Sequence, residues 1–231
     1  MRIKIKLSSG ANNIPINNQS IVNSYIHKCL GENNTYHDSA SNYCVSNIRG
    51  CKLNDDKTTL TLRSPYIVVS TNDNIFLSML LAGITNHNQF YDNIVVTGIE
   101  FVQETLYDGY NLFKTLTPIL LKEKNTDGSK RTITVNDEDF VPKLKDSIIR
   151  KIKSIDPSID VSGFDLKLAD NTIKKTKMIT VKNVTSVGSL CDIIVFSNKK
   201  LAEFIYNFGI GQSTGSGFGC IYEYKNYKLY Y

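Results

Sequence analysis

The chain opens on a strict alternation, Arg2-Ile3-Lys4-Ile5-Lys6-Leu7, with an apolar side chain at every second position. That period predicts a strand over 2–7. After Pro15 the period changes. Ile21, Val22, Tyr25, Ile26, Cys29 and Leu30 recur at helical spacing, which predicts a helix over 18–30 that Gly31 ends. Residues 43–52 and 58–63 flank the polar Asn54-Asp55-Asp56 and predict a hairpin, and Val68-Val69 predict a further short strand. A second helix is expected over 73–83, closing near Gly83, and then a strand over 93–103 around Ile94, Val96 and Phe101. The order is β-α-β-β-α-β.

The second half repeats that order more loosely. Thr117-Pro118-Ile119-Leu120-Leu121 opens it. Leu144, Ile148, Ile152 and Ile155 fall in register on a helix over about 139–154, and a hairpin follows over about 164–196. Apolar residues at 201, 204, 205 and 208 predict a helix over 199–208, with Ser197 or Asn198 as its cap. A final strand is expected where Phe218, Cys220, Tyr222 and Tyr224 alternate with mostly smaller or polar neighbours. Two β-α-β-β-α-β units predict an α+β chain of two tandem ferredoxin-like domains, residues 1–112 and 113–231, joined within 108–118. The halves share element order only, not sequence.

At 231 residues and 41% hydrophobic content the chain can bury two cores. No apolar run approaches the ~20 residues of a membrane span. The first strand lacks the continuous apolar core of a signal peptide, so a cytoplasmic protein with no membrane partner is expected. Five cysteines, at 29, 44, 51, 191 and 220, show neither a C-x-x-C pair nor zinc spacing. They are expected as reduced, partly buried thiols, and no metal or other cofactor is expected. Net charge is +5 and uneven: residues 1–115 carry nine basic and nine acidic side chains, residues 116–231 carry 18 and 13. A basic excess confined to one half is compatible with a polyanionic partner.

Five of the 14 glycines fall in Gly209-Ile210-Gly211-Gln212-Ser213-Thr214-Gly215-Ser216-Gly217-Phe218-Gly219. Such density implies positive φ or close approach at several nearby positions, and exposed N–H groups in such loops cradle phosphates. The loop follows a helix and precedes a strand, the reverse of a dinucleotide fingerprint, and it lacks the Lys and Ser/Thr of a P-loop. Glycine-hydrophobic-glycine, five residues, then glycine-hydrophobic-glycine again resembles the signature of the CRISPR-associated repeat-processing endoribonucleases, the Cas six family of the RAMP superfamily. Pro15-Ile16-Asn17-Asn18-Gln19 resembles that family's lead into its first helix, and Thr117-Pro118-Ile119 the start of its second domain. The resemblance covers the whole plan of the chain. It implies two ferredoxin-like domains side by side, with the glycine loop near the cleft between them. It also implies a metal-independent endoribonuclease that cleaves CRISPR repeat RNA in a precursor transcript to release guide RNAs.

In that chemistry the ribose 2′-OH attacks the adjacent phosphate, a base takes its proton, and an acid protonates the leaving 5′ oxygen. The products carry a 2′,3′-cyclic phosphate and a 5′-OH. Groups that titrate near neutrality suit both transfers, and the chain has three histidines. His37 lies in the polar loop Asn34-Thr35-Tyr36-His37-Asp38-Ser39. The resemblance places the catalytic histidine in this loop, ahead of Tyr43-Cys44-Val45-Ser46, which is similar to the family's aromatic-x-x-Ser strand. His27, at ~100° per residue along the first helix, falls away from the apolar face. Some family members carry a catalytic tyrosine there, so His27 is expected as the second proton-transfer group. Tyr25 and Tyr36 are fallbacks, and His87 reads as a surface loop residue. Some relatives also carry a lysine shortly after the loop histidine. This chain has none there, which leaves Arg49 or Lys52 to supply the charge.

For binding, Lys174, Lys175, Lys177 and Lys182 occupy a stretch without acids. On an unbulged strand Lys175 and Lys177 share one face, Lys174 and Lys182 the other. Such a hairpin resembles the RNA-gripping hairpin of the family's second domain. The expected RNA contacts are these lysines, Lys52, and Gly209, Gly211, Ser213, Ser216, Gly217 and Gly219 of the loop. Lys143, Lys145, Arg150, Lys151 and Lys153 add charge on the preceding helix. The expected partner is CRISPR repeat RNA in the precursor, with a CRISPR effector complex and a homodimer left open. The tyrosines at 222, 224, 227, 230 and 231 are expected to serve strand packing more than base stacking. One alternative is a catalytically silent RAMP-fold subunit that binds guide RNA in an effector complex. Another is an unrelated ferredoxin-like protein that binds a nucleotide or another protein.

Overall fold

The computed structural model describes residues 1–31, 34–36, 41–181 and 184–224, with main chain alone at 11–13. The first half runs β1 (Arg2–Leu7), β2 (Gly10–Pro15), α1 (Gln19–Leu30), β3 (Tyr43–Val45), β4 (Arg49–Leu53), β5 (Thr59–Thr71), α2 (Asn74–Asn86), β6 (Gln89–Tyr91) and β7 (Ile94–Val102). The second runs β8 (Gly109–Thr115), β9 (Lys122–Lys124), β10 (Lys130–Thr132), α3 (Phe140–Ile155), β11 (Asp165–Leu168), β12 (Lys175–Val181), β13 (Val184–Leu190), β14 (Asp192–Ser197), α4 (Lys199–Phe208) and β15 (Ile221–Glu223). A 3-10 turn, Thr214–Ser216, sits inside the glycine loop.

The alternation of β1 buries Ile3, Ile5 and Leu7 and makes it a central strand, flanked antiparallel by β5 and β7. With β3 and β4 on the far side of β5, the order across the sheet is that of a ferredoxin-like unit. β2 and β6 extend it to seven strands. The second unit repeats the plan in four strands, β11-β14-β8-β15. Each unit has its own core: α1 and α2 pack with β1 and β5, and α3 and α4 with β8, β11 and β14.

Several elements depart from expectation for identifiable reasons. The two short strands expected at 58–63 and 68–69 are one strand, β5. Pro65 has no ladder N–H and reads as a break, but β4 shifts register opposite it, where Gly50 takes φ 73°. α2 runs past Gly83, because that glycine is where α1 crosses: a Cβ on it would stand 1.9 Å from the Cys29 carbonyl oxygen. The strand expected at 117–121 lies earlier, at β8, which runs across residues 112 and 113. Its adjacent Leu112 and Phe113 are both buried, one on each face of the sheet, so the alternation is lost. Residues 117–121 instead bridge outward, Ile119 to Ser189 and Leu120 to Gln212. The broad hairpin at 164–196 separates into β11 and β14, which join the sheet, and the free-standing pair β12–β13. The last strand is only three residues long, since Phe218 and Cys220 belong to the buried end of the glycine loop.

Arg2 joins the halves. Its guanidinium donates to the carbonyls of Ile221 (2.5 Å) and Tyr206 (2.6 Å) and lies 3.5 Å from the Tyr206 ring centre. The five cysteines are free thiols, all but Cys51 buried.

Candidate functional site

α4 starts on Asn198, whose side chain accepts from Leu201 N, and it delivers the chain into the glycine loop. Gly209, Gly211, Gly217 and Gly219 all take positive φ and all are buried. Gly219 sits where the loop folds back on itself. Its carbonyl accepts from Ile210 N and its N–H donates to the Pro118 carbonyl (2.8 Å), while a Cβ would stand 1.7 Å from the Ile210 oxygen. Gly217, φ 90°, meets α1: a Cβ there would stand 1.9 Å from Cδ of Gln19. The four glycines expected to touch RNA therefore face protein. Ser213 is exposed and Ser216 partly so, and these two keep open surface.

Gln19 begins a row along α1, Gln19-Asn23-His27, at four-residue spacing on one flank. Gln19 Nε2 donates to Asn23 Oδ1 (3.0 Å), and His27 is half-buried at the end of the row. Its position off the apolar face agrees with the spacing, whereas Tyr25 is core and donates to the His87 carbonyl (2.9 Å). His87 is exposed.

His37 lies outside the described residues, as do Lys182 and Tyr227, Tyr230 and Tyr231. The residues around His37 are placed. Tyr36 donates to Asp73 (2.8 Å), the cap of α2, and packs edge-on against Phe76. Burial and that carboxylate push its hydroxyl up to about 12. On the other side Ser41 and Tyr43 stand against the loop, since a Cβ on Gly215 would come within 2.8 Å of both. Thr214 donates to the Tyr43 carbonyl (3.0 Å).

β12 passes alongside α1. Lys174 and Lys175 are exposed and Lys177 is half-buried. Burial first, and then the neighbouring Arg49 charge, lower the Lys177 pKa. Arg49 donates to the Leu116 carbonyl (3.3 Å), so Arg49 reaches the second half, while Lys52 stands exposed on β4. Gln19 and Asn23 are the site residues that sequence reasoning missed, and Lys151, expected only as one of the charges on α3, has a further role. The Lys151 ammonium donates to the carbonyl of Phe208 (2.6 Å) and the hydroxyl of Thr214 (2.8 Å), pinning the loop to α3. Burial brings its pKa down to about 8. Nothing in its spacing sets it apart from the other α3 lysines. The glycine requirement at 217 was the one available signal for a close neighbour at 19.

A family model described as CRISPR associated protein Cas6, C-terminal, matches residues 102–222, more than half of the chain. The chain belongs to the Cas6 family. A Cas6 protein of Pyrococcus furiosus, provisionally named as CRISPR-associated and endoribonuclease-like, is 24% identical over 161 residues. That alignment covers 67% of this chain and 66% of the relative, a little under two thirds of its length. The structure of a Cas6-related gene product from Pyrococcus furiosus matches with a TM-score of 0.85 at 21% identity, over 98% of this chain and 99% of that one. A RAMP protein described as binding different RNA substrates gives 0.84 at 21% identity, over 97% and 100%. At these identities the likeness establishes the fold, the tandem ferredoxin-like plan shared from end to end. Among the described residues no three His, Cys, Asp or Glu side chains gather as a metal site, and no helix is long and apolar enough to cross a membrane.

Proposed function

We propose that this Cas6-family chain is a metal-independent endoribonuclease that cuts CRISPR repeat RNA in a precursor transcript and acts in the cytoplasm. The observation that carries the reading is the meeting of three features on α1. Its His27 flank carries the glycine loop at Gln19, and β12 with its lysines runs alongside. A histidine therefore lies on the helix that meets both the serine-bearing loop and a strand of the cationic hairpin.

In this reading the first unit contributes α1 and the loop that holds His37. The second unit, which begins with β8 rather than within it, contributes the hairpin and the glycine loop. His37 and His27 divide the two proton transfers, one taking the 2′-OH proton and the other protonating the 5′ oxygen. Arg49 and Lys177 are cations without a carboxylate partner among the described residues. They face the phosphate as charge develops on it. Lys174, Lys175 and Lys182 hold the backbone on either side, which gives affinity and salt dependence rather than sequence choice. The motif glycines shape the loop that presents Ser213 and Ser216.

The test is cleavage of the host's own repeat RNA by the pure protein in EDTA, with His37→Ala protein and a 2′-deoxy substrate as controls. One cut site, a cyclic-phosphate end and loss of cutting in both controls are expected. Tight binding with no cleavage would instead make the chain a guide-RNA-binding subunit. Neither binding nor cleavage would end the reading.

A further inference from the structure

Apart from the two main cores lies a small buried cluster of Cys44, Val68 and Cys220, with Tyr66 and Leu116 packed against it. Cys44 stands on β3 in the first half, and Cys220 follows the last glycine of the loop in the second. Both are fully buried, and both are free thiols. Their side chains are in hydrogen-bonding contact. The surroundings hold the two sulfurs in place. Cys44 Sγ lies 3.9 Å from the Phe218 carbonyl oxygen, and a Cβ on Gly209 would stand 2.8 Å from it. The Cys220 main chain is fixed on both sides of the peptide unit. Its N–H donates to Thr117 Oγ1 (2.8 Å), and its carbonyl accepts from Leu116 N (2.7 Å) and Thr117 N (3.1 Å).

Buried thiols commonly serve as small apolar packing groups. This pair differs in the charges around it. The hydrogen bond from Cys44 stabilises the Cys220 thiolate, burial opposes it, and the positive charges of Arg2 and Arg49 add to the first effect, so the Cys220 pKa is lowered. Burial, and then the same contact, raise that of Cys44. Arg2 is 3% exposed, and its Nε–H is buried without a hydrogen-bond partner among the described residues. A guanidinium in that state favours a negative charge beside it. One sulfur is thereby set as a nucleophile and the other as its protonated neighbour. RNA cleavage as proposed above uses neither.

We infer that Cys44 and Cys220 form an oxidisable dithiol that closes into a disulfide between the two units when the protein meets a hydroperoxide. The Cys220 thiolate attacks the terminal peroxide oxygen, a sulfur–oxygen bond forms as the oxygen–oxygen bond breaks, and the leaving oxygen takes up a proton as alcohol or water. The sulfenic acid on Cys220 then condenses with the Cys44 thiol, which forms the sulfur–sulfur bond and releases water. The two sulfurs are oxidised and one peroxide is reduced. Because neither sulfur is exposed, the oxidant has to be small. The product ties β3, which follows the loop of His37, to the end of the glycine loop.

The test is treatment of the folded full-length chain with hydrogen peroxide, followed by alkylation in denaturant and peptide mapping. The peptides of Cys44 and Cys220 should be recovered joined, with Cys29, Cys51 and Cys191 alkylated, and dithiothreitol should return all five thiols. Cys44→Ser should stop at a Cys220 sulfenic acid that a 1,3-dione captures, whereas Cys220→Ser should leave Cys44 a thiol. The urea midpoint of the parent protein should rise on oxidation and fall back on reduction, since the link would close a long loop of the unfolded chain. Recovery of Cys44 and Cys220 as alkylated thiols after peroxide would overturn the inference, and so would a disulfide from either of them to the half-buried Cys51. A link that forms only after the chain is unfolded would overturn it too. Peptide mapping of the parent protein needs no variant, so it decides the matter even where a serine variant fails to fold.

Discussion

Replacing Gly217 by alanine separates a glycine kept for the protein's own packing from one kept for a ligand. At φ 90° an L side chain is strained, by about 1–2 kcal/mol. The new Cβ would also stand 1.9 Å from Gln19 Cδ and 2.2 Å from both its terminal atoms. Gln19 is 2% exposed and bonded to Asn23, so it has little room to yield. Overpacking of this kind costs about 1–3 kcal/mol. Gly217→Ala should therefore destabilise the protein by about 2–5 kcal/mol in urea unfolding. Gln19→Ala alone loses one partly buried hydrogen bond, about 1 kcal/mol. In the double variant the clash is gone and only the backbone strain remains, so the two changes should couple by about 1–3 kcal/mol in the stabilising direction. Additivity within about 0.5 kcal/mol would refute the packing argument. So would a Gly217→Ala protein of parent stability that had merely lost RNA affinity.

Other substitutions probe separate joints. Burial holds Lys151 near a pKa of about 8 against an ordinary 10.5. Between those values the unfolded chain binds a proton here that the folded chain lacks, so stability should rise with pH through that window. Lys151→Met should abolish this rise, and an equal rise in the variant would show that another group causes it. Arg2→Ala removes two charge-assisted bonds between the halves and should cost about 3–5 kcal/mol in denaturant unfolding; a loss below about 1 kcal/mol would mean that Arg2 does not hold them together. His27→Ala should lower the single-turnover cleavage rate by about 10²–10⁴ while RNA affinity stays near its parent value, and an unchanged rate would remove His27 from the chemistry. Asn198→Ala should cost about 1 kcal/mol through loss of the α4 cap, and parent stability in the variant would show that the cap bond contributes nothing.

Features that depend on neighbours a few residues away were legible in the chain. The periods of 2–7, 18–30 and 199–208 became β1, α1 and α4, because side-chain direction along a strand or helix is set by the local backbone. The same geometry put His27 off the apolar face, and Gly31 at the end of its helix. The positive φ values of the glycine loop were also implicit in its composition. Contacts between distant segments were not legible. Gly83 looked like a stop and proved to be a helix crossing, since only the Cys29 carbonyl facing it shows why it has no side chain. Leu112 and Phe113 hid a strand, because burial on both faces erases alternation. The glycine signature announced tight approach without saying to what: the partners at Gln19, Ser41 and Tyr43 appear only when the halves close together, and the one at Ile210 only when the loop folds back on itself. Lys151 shared its spacing with other cations of α3 until Phe208 and Thr214 closed over its ammonium. Local periodicity determined the elements and their order. Which side chains share a site was decided by the tertiary structure, because close approach is a property of two surfaces and a one-dimensional pattern records only one of them at a time.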